Sequence, residues 1–273
     1  MSLFSRKKKL IVSGCSYTDD YATTQNLKPF PLWPELLAEK LDMECINVGK
    51  VAFGNKAIYS TLIDQVVSQK NVGLAISMWS EFQRVSFYMG EGNLPKGIDE
   101  KMLWSCFHPE RDYLEGEWHD QFYDDAEKNP AKKDYVYKVS KVIRENGLGG
   151  MKGGTYDSIR MMYSFQTICE SLDIPHLQVQ GCIPIMSKTG NRGQKELCHY
   201  ILDSCYFDKI NKKTFLGWPI MPQISGTNID NHLDLIDPDR TALRISPEDV
   251  HPNEEAQEII SEILYDQYNK VYS

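Results

Sequence analysis

Three short stretches of this 273-residue chain carry side chains that can do chemistry together. The first is Gly14-Cys15-Ser16-Tyr17-Thr18, a serine in a turn just past an apolar run. A serine hydroxyl is a weak nucleophile and needs a base beside it. The second is Ser246-Pro247-Glu248-Asp249-Val250-His251-Pro252-Asn253, an imidazole beside two carboxylates. A carboxylate that curls back onto His251 Nδ1–H leaves Nε2 free as a base. Glu248 has the spacing for that task and Asp249 the more usual residue type, and both stay open. The third runs from Asn47-Val48-Gly49 to Gly54-Asn55, where glycine lets the backbone approach a ligand and aim an N–H at an oxyanion. Each has a plainer reading alone: a capping serine, Asp249 or Asn253 capping the last helix, a glycine that only turns the chain. Their order, at successive strand ends, is what makes the set specific.

The elements that position these stretches alternate. Lys9 to Ser13 reads as a short buried strand, 31–41 as a helix with leucines at helical spacing, and 45–48 as a second strand. Gly54-Asn55 opens a helix carrying Ile58, Leu62, Val66 and Val67 on one face, and 73–78 is a third buried strand. From 88 to 154 the rhythm breaks. This region reads as an insertion, with a helix over 134–146 and a mobile glycine-rich loop over 147–154. The rhythm resumes with a helix over 156–172, a strand over 175–179 and a helix over 194–205. A polar, loop-rich segment follows over 207–245, then a closing helix over 254–268. Buried strands alternating with amphipathic helices predict an α/β/α sandwich around a central parallel sheet, read as a single domain over 1–273.

Composition excludes several classes. At 41% hydrophobic and 25% charged the chain is no disordered tail. A net charge of −8 argues against nucleic acid as a partner, and Arg6-Lys7-Lys8-Lys9 reads as a solvated lead-in to the first strand. No apolar run approaches the roughly 20 residues of a membrane span, and Leu10-Ile11-Val12 is too short for a signal-peptide core. Seven scattered cysteines read as reduced thiols. The expected location is cytoplasmic, with no membrane partner; the oligomeric state is not legible.

The three stretches together resemble the SGNH (GDSL-like) hydrolase family over most of the chain. The resemblance implies a flavodoxin-like three-layer fold, Ser16 as nucleophile, His251 as general base, and the Ser16 and Gly54 backbone N–H groups in an oxyanion hole. It implies neither cofactor nor metal. Gly14-Cys15-Ser16 stands where the family often has Gly-Asp-Ser. Its Gly-x-Asn-Asp block after the third strand, whose Asn donates to the oxyanion, is replaced by Met78-Trp79-Ser80-Glu81-Phe82-Gln83-Arg84. Trp-Ser-x-x-x-Arg resembles a divergent branch associated with phage and environmental bacterial sequences, which would put the protein in a virion or host cytoplasm. Ser80, the Trp79 indole or Asn55 are the candidate replacement donors. Arg84 is a candidate for an anionic substrate group, with an ion pair at a helix start as its plainer role.

The implied activity is hydrolysis of an ester, small-molecule or glycan, with a carbohydrate O-acetyl group as one candidate. A non-catalytic binding or virion protein and an acyltransferase on the same scaffold are the rivals. Cys15 reads as packing. Cys182, Cys198, His199 and Cys205 lack zinc-site spacing. His108, His119, His176, His199 and His232 read as ordinary surface or core histidines, with His108, in the insertion, a candidate to enter the cleft. Trp104, Trp118 and Tyr123 are candidates for a sugar-binding wall or for packing beneath the insertion.

Overall fold

The computed structural model describes residues 7–88, 103–109, 130–185 and 190–273. Trp118, His119 and Tyr123 lie outside them. Strands β1 (Lys9–Ser13), β2 (Glu44–Asn47), β3 (Val72–Trp79), β6 (His176–Gln180) and β7 (Phe215–Leu216) form one sheet in the order β2-β1-β3-β6-β7. All of its pairings are parallel. β4 (Val85–Tyr88) and β5 (Trp104–Phe107) form a separate antiparallel pair within the insertion.

Strand alternation assigns the helices to two layers. On one face Leu10, Val12, Leu74, Ile76 and Leu177 pack against α2 (Trp33–Lys40), α7 (Ile229–Ile236) and α8 (Glu254–Tyr272). On the other, Ile11, Ala75 and Trp79 meet α3 (Asn55–Ser68), α5 (Met151–Ser171) and α6 (Gly190–Leu202). This second face is unusually polar. Ser13 pairs with Thr61, and the indole N–H of Trp79 donates to Gln178. The described residues also form the one-turn helix α1 (Tyr21–Thr24), α4 (Pro130–Glu145) and short 3-10 turns at Phe207–Lys209 and Pro222–Ile224.

The chain leaves β1 toward β2 on one side and returns to β3 on the other. The carboxyl ends of β1 and β3 therefore meet at the point where strand order reverses, the place where open parallel sheets bind ligands. Ser16 follows the first and Ser80 the second.

Three expectations are corrected. The 147–154 stretch is not a mobile loop: 147–150 turn the chain and 151–154 begin α5, with Gly150 as its N-cap. A Cβ on Gly154 would lie 2.1 Å from the Phe82 carbonyl oxygen, so this glycine marks a helix packed onto backbone. The 207–245 segment holds β7 and α7, not only loops. Arg84 stands at the start of a strand, not of a helix. Among the described residues no helix is long and apolar enough to cross a membrane.

Candidate functional site

The turn after β1 delivers Ser16 with its Oγ 2.9 Å from His251 Nε2. His251 Nδ1 lies 2.6 Å from Asp249 Oδ1, whose oxygen also accepts the His251 backbone N–H at 3.2 Å. Glu248 goes elsewhere. Ser246 Oγ accepts the backbone N–H groups of both Glu248 and Asp249, and donates to Glu248 Oε2. That turn sends the Glu248 carboxylate outward and leaves Asp249 facing the imidazole. Asn253 separately caps α8 by accepting the Ala256 N–H.

The His251 loop has a charged scaffold. Arg244, with its side chain 1% exposed, bonds Asp230 at 2.9 Å, Asp234 at 2.7 Å and the Val250 carbonyl at 2.9 Å. An antiparallel bridge joins Arg244 to Pro252, and Ile245 N–H donates to the His251 carbonyl. Asp230 also accepts from the Tyr17 hydroxyl and from Ile183 N–H. Burial raises the Asp234 carboxyl, but the Arg240 and Arg244 guanidinium groups outweigh it and hold it below the usual carboxylate value. Asp249 balances the same way: burial raises it, and the bonds from His251 and Tyr21 carry it below.

Two aromatic residues that the sequence reading missed touch the imidazole. The Tyr21 ring stacks on it, with centroids 3.6 Å apart and planes at 21°, and its hydroxyl donates to Asp249 Oδ2 at 3.0 Å. Tyr17 meets it edge-on at 5.7 Å. A spacing of four placed both rings on one side of the turn just after Ser16, and that was the available signal.

On the opposite side, Gly54 is the N-cap of α3. A Cβ there would come within 2.7 Å of Ser86 Oγ and 3.0 Å of the Arg84 carbonyl oxygen, so only glycine fits. Among the described residues no acceptor takes the backbone N–H of Ser16 or Gly54.

Of the side chains expected to replace the family's Asn, Asn55 and Trp79 are otherwise engaged and the Ser80 hydroxyl is not. Asn55 accepts the Ser80 N–H through Oδ1 and donates through Nδ2 to the Ser80 carbonyl and Ser158 Oγ. Trp79 is committed to Gln178. Ser80 Oγ is buried beside the Cys15 thiol, with no nitrogen or oxygen partner. Arg84 pairs with Glu81 at 2.5 Å and donates to the Phe53 carbonyl at 3.3 Å, so its ion pair is internal.

Cys15 is buried, and the Cys182 thiol and Arg84 charge beside it favour its thiolate. His108 is buried with Nε2 3.7 Å from Glu81. Trp104 is buried in the core, edge-on to Tyr88. Among the described residues no group of three or more His, Cys, Asp or Glu is placed to hold a metal.

No protein-family model and no curated protein matches the chain. Among solved structures it is similar to the psychrotrophic esterase EstA from Pseudoalteromonas sp., inhibited by monoethylphosphonate. That likeness covers 97% of this chain and 98% of that one, at 13% identity and a TM-score of 0.47. A structure from Desulfitobacterium hafniense DCB-2, described as of the G-D-S-L lipolytic family, is similar over 71% of this chain and 97% of its own. The identity there is 16% and the TM-score 0.23.

Proposed function

We propose that this chain is a divergent SGNH (GDSL-like) hydrolase that cleaves an ester by serine chemistry. The observation that carries the reading is the continuous hydrogen-bonded line Ser16–His251–Asp249, with contacts of 2.9 Å and 2.6 Å. That line is the arrangement that activates a weak hydroxyl nucleophile.

In this reading Ser16 Oγ attacks the ester carbonyl as its proton passes to His251 Nε2. Asp249 holds Nδ1–H, fixing the tautomer and offsetting the charge on the imidazolium. The tetrahedral oxyanion rests on the free backbone N–H groups of Ser16 and Gly54; Asn55 and Trp79 are engaged elsewhere, and the Ser80 hydroxyl is the candidate side chain without a nitrogen or oxygen partner. Collapse expels the alcohol with the proton returned by His251. A water, deprotonated by the same nitrogen, then releases the acid and restores Ser16. No step calls for a metal or an organic cofactor. A carbohydrate O-acetyl ester is the substrate class proposed for first trial.

The test is a fluorophosphonate probe with intact-mass and peptide mapping, run beside turnover of 4-nitrophenyl acetate and an O-acetylated glycan. A single adduct on Ser16, lost in His251→Ala, with turnover abolished in Ser16→Ala, is expected. A folded protein that takes no adduct, or a Ser16→Ala variant with unchanged esterase activity, overturns the proposal.

A further inference from the structure

We infer that Tyr21 is a positioning residue of this site: its ring fixes the plane of the His251 imidazole and its hydroxyl fixes the second oxygen of Asp249. The inference rests on the hydrolase reading above and deepens it.

The two torsions that orient the line are the soft ones. The terminal χ2 rotations of His and Asp are broad and roughly two-fold, so neither ring nor carboxylate is held by its own rotamer preference. Both ring nitrogens of His251 point along the line, and nothing in that line resists rotation about its own axis. Both contacts to Asp249 from His251 go to Oδ1. Left there, the carboxylate would pivot about that oxygen. Tyr21 closes both freedoms at once, stacking on the imidazole face at 3.6 Å and donating to Oδ2 at 3.0 Å. The edge of Tyr17 limits the ring further.

Tyr21 can do this because its own position is set from outside the line. It begins α1, whose N-cap Asp20 accepts the Thr23 N–H. Its carbonyl accepts from Thr24 Oγ1, and the preceding Asp19 ties the turn to the second strand's loop through the Val51 N–H. Tyr21 is 7% exposed. Burial and the adjoining Asp249 charge keep its hydroxyl protonated, hence a donor, across the working pH range.

Three variants separate the two contacts. Tyr21→Phe keeps the stack and loses the hydroxyl, Tyr21→Trp keeps an aromatic face without a phenol, and Tyr21→Leu loses both. With 4-nitrophenyl acetate, kcat is expected to fall about 10-fold in Tyr21→Phe and Tyr21→Trp and about 100-fold in Tyr21→Leu, the scale of losing an ionic hydrogen bond and then the alignment. KM should stay within about twofold, since the group acts through His251 and Asp249 rather than on substrate. The low-field proton resonance of His251 Nδ1–H should shift in Tyr21→Phe. Folded Tyr21→Phe and Tyr21→Leu proteins with unmoved kcat and an unmoved resonance overturn the inference, as does a rise in KM at constant kcat, which would make the ring a substrate contact. If Tyr21→Leu does not fold, the near-isosteric Tyr21→Phe decides. A wild-type protein without turnover or labelling at Ser16 overturns the hydrolase reading instead, and the resonance still tests Tyr21.

Discussion

Around His251 the supports are charged: Arg244 bridges Asp230, Asp234 and the Val250 carbonyl, and Arg240 backs Asp234 through two further bonds. Around Gly54 and Ser80 neutral amides predominate, beside the Arg84–Glu81 ion pair, whose guanidinium also donates to the Phe53 carbonyl. Asn55 clasps both backbone groups of Ser80, and Gln180 donates to the Ser80 carbonyl and to Cys182. The two sides hold different kinds of group. In the proposed reading the base is carried on a loop outside the sheet, and buried ion pairs grip such a loop at the cost of sensitivity to mutation. The Gly54 side, in the same reading, aims backbone from the ends of β3 and α3, held by amide bonds, close packing and the Arg84–Glu81 pair.

The largest effect should follow from breaking the charged side. Arg244→Met leaves Asp230 buried beside a vanished partner, and a loss of about 3–5 kcal/mol is expected for one half of a buried pair. Urea denaturation measures it. A loss under about 1 kcal/mol, the value of a surface pair, would end the distinction between the two sides.

Next is Gly54→Ala. The new methyl meets Ser86 Oγ, Arg84 Cβ and the Arg84 carbonyl oxygen, and the last two cannot swing aside. The Gly54 N–H must move. An expected fall of about 100-fold in kcat, the scale of a 1 Å misplacement, should come with a stability loss of about 1–3 kcal/mol from overpacking, read from the urea midpoint. A full-rate Gly54→Ala enzyme would remove this N–H from the oxyanion hole.

The smallest effect is the pH response. Asp234 and Asp249 titrate below the ordinary carboxylate value when folded. The unfolded chain therefore takes up protons first, and this stabilisation is complete above the ordinary range and lost as pH falls through the folded values. Buried His176 and half-buried His232, both lowered by desolvation, act with the same sign just below neutrality. The urea midpoint should decline from neutral pH and continue to decline below about pH 4. In Arg244→Met the acid portion should be shallower, because Asp234 has lost one of its two cations. Equal slopes would mean that Arg244 does not hold Asp234 down.

How much of this was legible follows from the range of the interactions. Ser16, Gly54 and His251 could be read because each sits in a local turn at the edge of a strongly patterned element. The choice between Glu248 and Asp249 could not, because it is made by Ser246 Oγ folding the turn, a matter of bond directions rather than residue type. Arg244, Asp230 and Tyr21 carry no periodic signal; they matter only through partners far along the chain. β7 is two residues long and offers no alternation to detect. The start of α5 was hidden because glycine there serves close packing on Phe82, and its usual meaning in sequence is a loop.

Ser16 and His251 stand 235 residues apart, so the bond between them closes one of the longest loops the chain contains. Closing it costs entropy that grows only slowly with length, and α8, which follows the His251 loop directly, packs against α2 on the same face of the sheet. On a ribosome, Ser16 emerges early and, in the proposed reading, waits inert for His251. A fluorophosphonate that modifies Ser16 would thus count completed molecules and pass over nascent or truncated ones.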